Sequence, residues 1–481
     1  MSTRKALAFS FLDRYSGLLL AIISSMVLAR LLTPAEVGIF SVTMVLLSYL
    51  SSLRDLGAGQ YLLQEKELTQ ERIRATWTVQ LGLGLLFSLV VFLASHPVSV
   101  FYNEPRIRNI MLVLSLNFAI SPFGSLTYAW LMREMRFESL AIMRFAGSLS
   151  GACTSIALAW KGWGPISLAY GSLVSTIANA LIAMIFRPAT FPWVPGFREI
   201  RRVLSFGGKI TITTVVNTFA YSASELVLGK LQGMASAGLF SRANGLATMF
   251  HRLILDATHA VALPLFAKES REKGNATQAF MRATSYITAI GWSFFLGMIF
   301  LAQPVIRLLY GAQWDGAVDL TRLLAVAAMV GVPASLCVVI LTANGSIKIV
   351  VRATLLNAAQ YVTAVVIGAS QGLIGLGIAL IAANAVSMTT WLRFTRKQTG
   401  FTWKQLADTL ARSATVALAS GIFPALVFVW FGPYPTEILA PLILSIPGSL
   451  CLFVAAIFLC QHPLKEEVLR IWARVRMPWK G

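Results

Sequence analysis

The chain has 481 residues, of which 57% are hydrophobic and only 12% charged, with a mean hydropathy of +0.71; an ordinary soluble domain carries about a quarter charged residues, so that class is excluded. The formal net charge of +20 would suit a nucleic-acid ligand, but the cations punctuate apolar runs instead of gathering on one segment, and that reading is excluded too.

Apolar windows long enough to cross a bilayer as helices recur along the whole chain. They fall at 9–31, 37–53, 75–95, 108–131, 140–160 and 164–186, then at 206–229, 236–262, 280–302, 318–343, 350–370 and 372–392, and finally at 409–431 and 438–460. An all-α polytopic membrane protein of about fourteen transmembrane helices is expected. The first run has span length and no cleavage site follows it, so no removable signal peptide is expected. With loops assigned alternately, only Arg30, Arg106, Arg108, Lys161, Lys230 and Arg307 lie on one side, and Arg242, Arg252 and Arg322 lie within spans. The rest of the 40 Lys and Arg lie on the other side or, like Arg14, Lys209, Arg282 and Arg412, in the span ends nearest it. By the positive-inside rule both termini are expected in the cytoplasm.

The outer turns are short, none longer than about fifteen residues, which leaves no room for an external catalytic domain; an enzyme is not expected. The four cysteines, Cys153, Cys337, Cys451 and Cys460, sit in apolar runs as small hydrophobes. His251 and His259 are eight apart with no acidic helix motif around them, so neither a metal site nor a cofactor is expected.

The stretch 28–41, LARLLTPAEVGIFS, returns at 228–241 as LGKLQGMASAGLFS. Leu28/Leu228, Leu31/Leu231, Ala35/Ala235, Gly38/Gly238, Phe40/Phe240 and Ser41/Ser241 are identical, and Arg30 becomes Lys230. Phe101-Tyr102 before Asn103-Glu104-Pro105 is echoed by Leu309-Tyr310 before Gly311 and Trp314. Two ordered echoes indicate a parallel duplication of six spans: an N-lobe at 1–190, a C-lobe at 191–400, and two further spans with a basic tail at 401–481. Between the halves, Pro188, Pro192, Pro195 and Gly196 break the chain. Phe197, Ile200, Val203, Leu204 and Phe206 then recur at helical spacing beside Arg198, Arg201 and Arg202, as in a short interfacial helix. The tail after Gln461 has the same amphipathic character and is expected on the anionic inner leaflet, in contact with membrane lipids, the other reading being a disordered basic tail.

The residues LARLLTPAEVGIFSV from Leu28, with Asp55-Leu56-Gly57, Leu131-Met132-Arg133-Glu134, Gly238-Leu239-Phe240-Ser241-Arg242-Ala243 and Leu309-Tyr310-Gly311, resemble the bacterial polysaccharide-transporter family. These are the Wzx-type flippases of lipid-linked oligosaccharides, in the superfamily that also holds lipid II flippases and multidrug and toxin extruders. The resemblance implies two six-helix lobes around a central cavity and alternating access. It does not imply a particular sugar.

Charged groups within spans cost about 2.5–3.5 kcal/mol each at a helix centre, so those present must face protein or water. On the seventh span Thr214, Asn217, Tyr221 and Glu225 share a face, and on the eighth Thr248, Arg252, Asp256 and His259 form a stripe. Guanidinium groups suit a pyrophosphate linkage; Arg252 is the first candidate for it, with an i,i+4 pair to Asp256 as the alternative. Arg242, Asn217, Tyr221 and Thr248 complete the substrate-binding candidates. Glu225, Asp256 and His259 are candidates for ion coupling. Arg30 and Lys230, at equivalent repeat positions, are gating candidates or simply interfacial anchors, and Glu225 with Arg242 is a candidate bridge. Asp319 and Arg322 are expected to be self-paired or solvated.

Three functions remain at this stage. The first is a flippase for an undecaprenyl-pyrophosphate-linked oligosaccharide, serving exopolysaccharide, capsule or O-antigen synthesis alongside a polymerase and co-polymerase. The second is a cation-coupled multidrug exporter of the same superfamily, which would place carboxylates foremost in its cavity. The third is a membrane glycosyl polymerase, which normally needs a large outer loop.

Overall fold

A computed structural model describes the backbone of 3–55, 58–65, 67–189, 191–272 and 275–476; the side chains of 3–14, 55, 58, 60, 206–221 and 471–476 lie outside the described part. Every regular element described is helical, as hydrocarbon demands when each backbone amide must be satisfied within its own segment. Contacts divide the chain into two compact units, 1–238 and 239–481.

The first unit holds α1 (Thr3–Leu31), α2 (Pro34–Asp55), α3 (Ala58–Gln64), α4 (Gln70–Phe101), α5 (Pro105–Ile120), α6 (Pro122–Arg133), α7 (Phe137–Trp160), α8 (Ile166–Phe186) and α9 (Ile200–Leu231). Helix α2 starts on a reciprocal cap: Thr33 N donates to Glu36 Oε2 at 2.8 Å and Glu36 N to Thr33 Oγ1 at 3.3 Å. Helices α5 and α6 form one apolar stretch bent by 49° where Pro122 removes an amide, and Arg54 Nη1 donates to Ser121 Oγ at that bend. The segment from Arg187, where Pro188, Pro192, Pro195 and Gly196 break the chain, is docked on α4. Trp77 Nε1 donates to Trp193 O at 3.1 Å, the Arg187 guanidinium lies 3.6 Å from the Trp193 ring centroid, and Phe191 is buried with Leu62, Ile73, Trp77 and Leu126. The helix expected over 197–206 is no separate piece. It is the opening of α9, which runs unbroken from Ile200 through Gly207 and Gly208 to Leu231.

The second unit begins within α10 (Met234–Ala247). It continues through a π-turn at His251–Leu255, then α11 (Asp256–Arg271), α12 (Ala276–Leu309), α13 (Val318–Gly331), α14 (Cys337–Ala343), α15 (Ile347–Ser370), α16 (Gly372–Thr399), α17 (Trp403–Phe431), α18 (Leu439–Leu459) and α19 (Leu464–Arg476). Helices α12, α17 and α18 share a core of Ala289, Val416, Ala456 and Ile457. Val429 and Trp430 are more than 79% exposed, as residues that face lipid should be.

Among the described residues ten helical segments are long and apolar enough to cross a membrane, or eleven if the bent α5–α6 pair is one span; the chain is a multi-span membrane protein. The described residues do not establish the expected fourteen. Of helix α1, 29 residues long, only the apolar stretch Tyr15–Leu31 lies among the residues whose side chains are described. Helix α9 has its middle side chains outside the described part, and α10–α11 is interrupted and polar.

Candidate functional site

The candidates of the eighth expected span lie around an irregular helix. Thr248 Oγ1 donates back to Asn244 O at 2.8 Å and Gly245 O at 3.3 Å, a bond that loosens the helical ladder. Three residues later the π-turn at His251–Leu255 inserts an extra residue. The face of everything beyond it rotates by about 100° relative to an unbroken α-helix. The stripe expected from 3.6-residue geometry is therefore not kept.

Asp256 Oδ1 lies 3.4 Å from His251 Nε2, five residues back; i,i+5 is the spacing a π-turn aligns. The same turn brings the His251 and His259 rings to 5.9 Å between centroids, edge to face, although eight positions on an α-helix would splay them by about 80°. His259 Nε2 lies 3.1 Å from the Ser335 carbonyl, so Nε2 carries a proton in this network. Arg252 is exposed on the π-turn itself. Thr248, His251, Arg252, Asp256 and His259 thus form one polar, partly exposed segment. No group of three or more His, Cys, Asp and Glu among the described residues could hold a metal ion.

Arg242 takes a different environment. Its guanidinium lies 5.4 Å from the Tyr310 ring and 5.5 Å from the Trp314 ring. Both rings are buried, Trp314 completely. The turn carrying them is set by Gly311, at φ 97°, and by Arg307, which grips Asp315 with two nitrogens at 2.9 and 2.6 Å. Two motifs about seventy residues apart in the chain are joined here by a guanidinium between aromatic faces.

In the first unit Glu225 is only 8% exposed, and its Oε2 has no hydrogen-bond partner among the described residues. Tyr49 of α2 hydrogen-bonds Ser222 and interacts electrostatically with Glu225. Lys230 Nζ donates to the Phe101 carbonyl at 2.5 Å and lies 4.4 Å from the Phe101 ring, placing a cation at the C-terminal end of α4, where the helix dipole favours it. Arg30 is exposed. The side chains of Asn217 and Tyr221 lie outside the described residues. Glu225 and Arg242, the candidate bridge, belong to different units. Asp319 and Arg322 are self-paired at 2.8 Å, and Tyr434 donates to Asp319 while Arg322 donates to Pro433 O.

The family described as polysaccharide biosynthesis protein matches residues 27–319, more than half of the sequence and all ten candidate positions. The chain belongs to that family. It is 24% identical over 459 residues to the succinoglycan biosynthesis transport protein ExoT of Rhizobium meliloti, covering 94% of this chain and 92% of that one. It is 23% identical over 376 residues to the lipopolysaccharide biosynthesis protein WzxC of Escherichia coli, covering 76% and 75%. Among solved structures it is similar in fold to the lipid II flippase MurJ in an inward closed conformation, with TM-score 0.75, 15% identity, and 97% and 100% of the two chains covered. An inward-facing multidrug transporter of the MATE family follows at TM-score 0.64 and 15% identity, covering 80% and 94%. His251 and Tyr49 are the polar groups beside the candidates that sequence reasoning missed. His251 stood on the wrong face of an ideal helix, and Tyr49 sits on another helix altogether.

Proposed function

We propose that this member of the polysaccharide biosynthesis protein family is a flippase. Its substrate is an oligosaccharide linked through pyrophosphate to undecaprenol, carried across the bacterial inner membrane by alternating access. Both termini lie in the cytoplasm, and the product passes to a polymerase and co-polymerase. The observation that carries this reading is similarity over nearly the whole of both chains to a protein named for succinoglycan transport. The N-lobe at 1–190, the C-lobe at 191–400 and the segment 401–481 belong to the same proposal, as does an eighth span built from α10 and α11.

The physical support is the polar segment of that span. Exposed polar groups in mid-membrane belong beside protein or water, and Arg252 presents a guanidinium, the group suited to bidentate phosphate contacts. Buried Glu225 and the His251–Asp256 pair are the proposed coupling groups. Arg30 and Lys230 are the proposed gate cations, with Lys230 tied to α4.

The test is flipping by purified protein in liposomes. A short-chain polyprenyl-pyrophosphate oligosaccharide is loaded inside, and its accessibility to an external sugar-modifying enzyme is followed over time. Translocation by the wild type, lost in both Arg252→Ala and Arg252→Lys, is the expected result. Translocation kept in both variants removes Arg252 from the site while leaving the flippase standing. Absence of translocation with several donor sugars, together with cation-dependent dye efflux, would assign the chain to the exporters.

A further inference from the structure

A cavity of about 760 Å³ opens beside the connection from α16 to α17, far along the chain from the polar segment of α10–α11. Arg393, Arg396 and Lys397 of α16 line it, with Leu356 of α15, Phe394 of α16 and Trp403 of α17, and neither Asp nor Glu is among its walls. Its volume lies within the range of about 300–1,000 Å³ usual for small-molecule sites.

Two of the cations have a local reason to be there. Arg396 and Lys397 occupy the last turn of α16, which Gly400 closes in a left-handed conformation, and cations favour a helix C-terminus. Arg393 lies a turn earlier and gains little from that end, since the effect fades within one turn; yet it lines the same concave space. The Arg396 guanidinium lies 5.3 Å from the Trp403 ring, so one cation braces the aromatic wall. The partial positive end of α17 borders the cavity as well, its first turn set by a capping box between Thr402 and Gln405.

The walls also say what kind of anion belongs here. Leu356 is 50% exposed, and farther from the cations along the antiparallel α15 and α16 stand exposed Val386, Val366 and Ile367, an apolar surface of the kind that meets acyl chains. Cations at the ends of membrane helices, beside an apolar wall and a tryptophan, match the headgroup level of a bilayer. A small soluble anion would use the cations and leave the apolar wall idle. We propose that this cavity binds the phosphodiester headgroup of an anionic phospholipid, with its acyl chains laid along α15 and α16, so that the lipid holds the α16–α17 corner. The proposal stands apart from the transport cycle and does not depend on which sugar is carried.

The experiment uses the full-length protein in neutral detergent. Phosphatidylglycerol, phosphatidylcholine, inorganic phosphate and undecaprenyl pyrophosphate are titrated separately and in competition, with native mass spectrometry and thermal unfolding as readouts. The wild type is expected to retain and be stabilised by phosphatidylglycerol in preference to phosphatidylcholine. That preference should weaken by about fivefold for each cation removed, first in Arg393→Gln, which leaves the last turn of α16 and the Trp403 contact intact, and further in the triple change R393Q/R396Q/K397Q. Lys397→Arg should keep it. An undiminished preference in Arg393→Gln and the triple variant would overturn the site. Displacement of phosphatidylglycerol by inorganic phosphate at the concentration that stabilises lipid-free protein would make it a soluble-phosphate site instead. Stronger binding of undecaprenyl pyrophosphate than of phosphatidylglycerol at these residues would assign it to the substrate and likewise overturn the proposal. Flipping measured in phosphatidylcholine liposomes is scored independently, so a failure of the flippase reading cannot be mistaken for a failure of this one.

Discussion

Gly38 of α2 and Gly238 of α10, equivalent positions of the internal repeat, pack against each other's helix reciprocally. A Cβ on Gly38 would stand 1.7 Å from the Met234 carbonyl oxygen and 2.8 Å from Gly238 N. One on Gly238 would stand 1.9 Å from the Pro34 carbonyl oxygen and 3.0 Å from Gly38 N. Pro34 and Met234 are themselves equivalent in the repeat, so the close approach has the symmetry of the duplication.

Those obstructing atoms are backbone and cannot swing aside. Gly38→Ala and Gly238→Ala are each expected to destabilise by ~1–3 kcal/mol or more through overpacking, outweighing the ~1 kcal/mol that alanine gains over glycine in a helix. Gly297→Ala in α12, where a Cβ meets nothing within 4 Å, should stabilise by about that 1 kcal/mol. Thermal unfolding of the three purified variants checks the contrast in sign.

Arg242 is held by two buried rings, which predicts a bracing role. Arg242→Ala should destabilise by about 2 kcal/mol, the value of a desolvated cation–π contact, and Trp314→Ala by about 3–5 kcal/mol because a filled core site is emptied. Arg242→Lys should recover part of the stability, since an ammonium also sits over aromatic rings. A double-mutant cycle between positions 242 and 310 measures the coupling directly, and a coupling of zero would return Arg242 to the substrate-contact candidates.

Asp256 and His251 are both exposed, at 46% and 55%, and an exposed pair contributes little to stability. Asp256→Asn is therefore expected to leave thermal unfolding within about 0.5 kcal/mol. In the liposome assay it should slow flipping by about tenfold, or about 1.4 kcal/mol of barrier, and alter its pH dependence. An Asp256→Asn protein that flips at the wild-type rate at every pH removes the pair from ion coupling.

His462, between α18 and α19, is buried, and burial with Arg412 nearby pushes its imidazole down to about 4. Leu464 N donates to Nδ1 at 3.2 Å, so Nε2 carries the proton and donates to Ser285 Oγ at 2.8 Å. The folded protein holds this ring neutral, while the unfolded chain takes up a proton below about pH 6.5. The stability tied to His462 is thus complete above about 6.5 and declines as the pH falls toward 4. His462→Gln should unfold at a lower temperature than wild type at pH 7.5, yet lose less on acidification to pH 5. A wild-type unfolding temperature that is flat from pH 7 to 5 would sink this assignment.

The spans were legible because hydropathy along one chain is a local property and the bilayer punishes any unsatisfied amide. Ten of the expected runs stand as long apolar helices; the paired caps that start α2 at Thr33–Glu36 and α17 at Thr402–Gln405 emerge only in the structure. The candidate site was legible only as composition. Thr248, Arg252, Asp256 and His259 stand out in the sequence as polar residues in an apolar run, but their common stripe assumed an unbroken α-helix. The π-turn at His251–Leu255 changed who faces whom, and no periodicity rule announces an extra residue in a turn. Similarly, the prolines from Pro188 to Pro195 mark a break in the chain but not where it docks: Trp193 and Phe191 find partners on α4, α6 and α3.

What the sequence determined by itself was the solvent: a chain this apolar and this poor in charge is a multi-span helical membrane protein, in which the stretch 28–41 is echoed at 228–241. It also marked which residues are anomalous in that solvent. What only the tertiary structure decided was the pairing of those residues: Asp256 with His251, Arg242 with Tyr310 and Trp314, Lys230 with the end of α4, and Gly38 with Gly238. Pairing depends on helix register and on segments distant in the chain being packed to within a few ångströms. Polar contacts and close backbone approaches fall off over that same distance, whereas burial is graded and can be read one residue at a time.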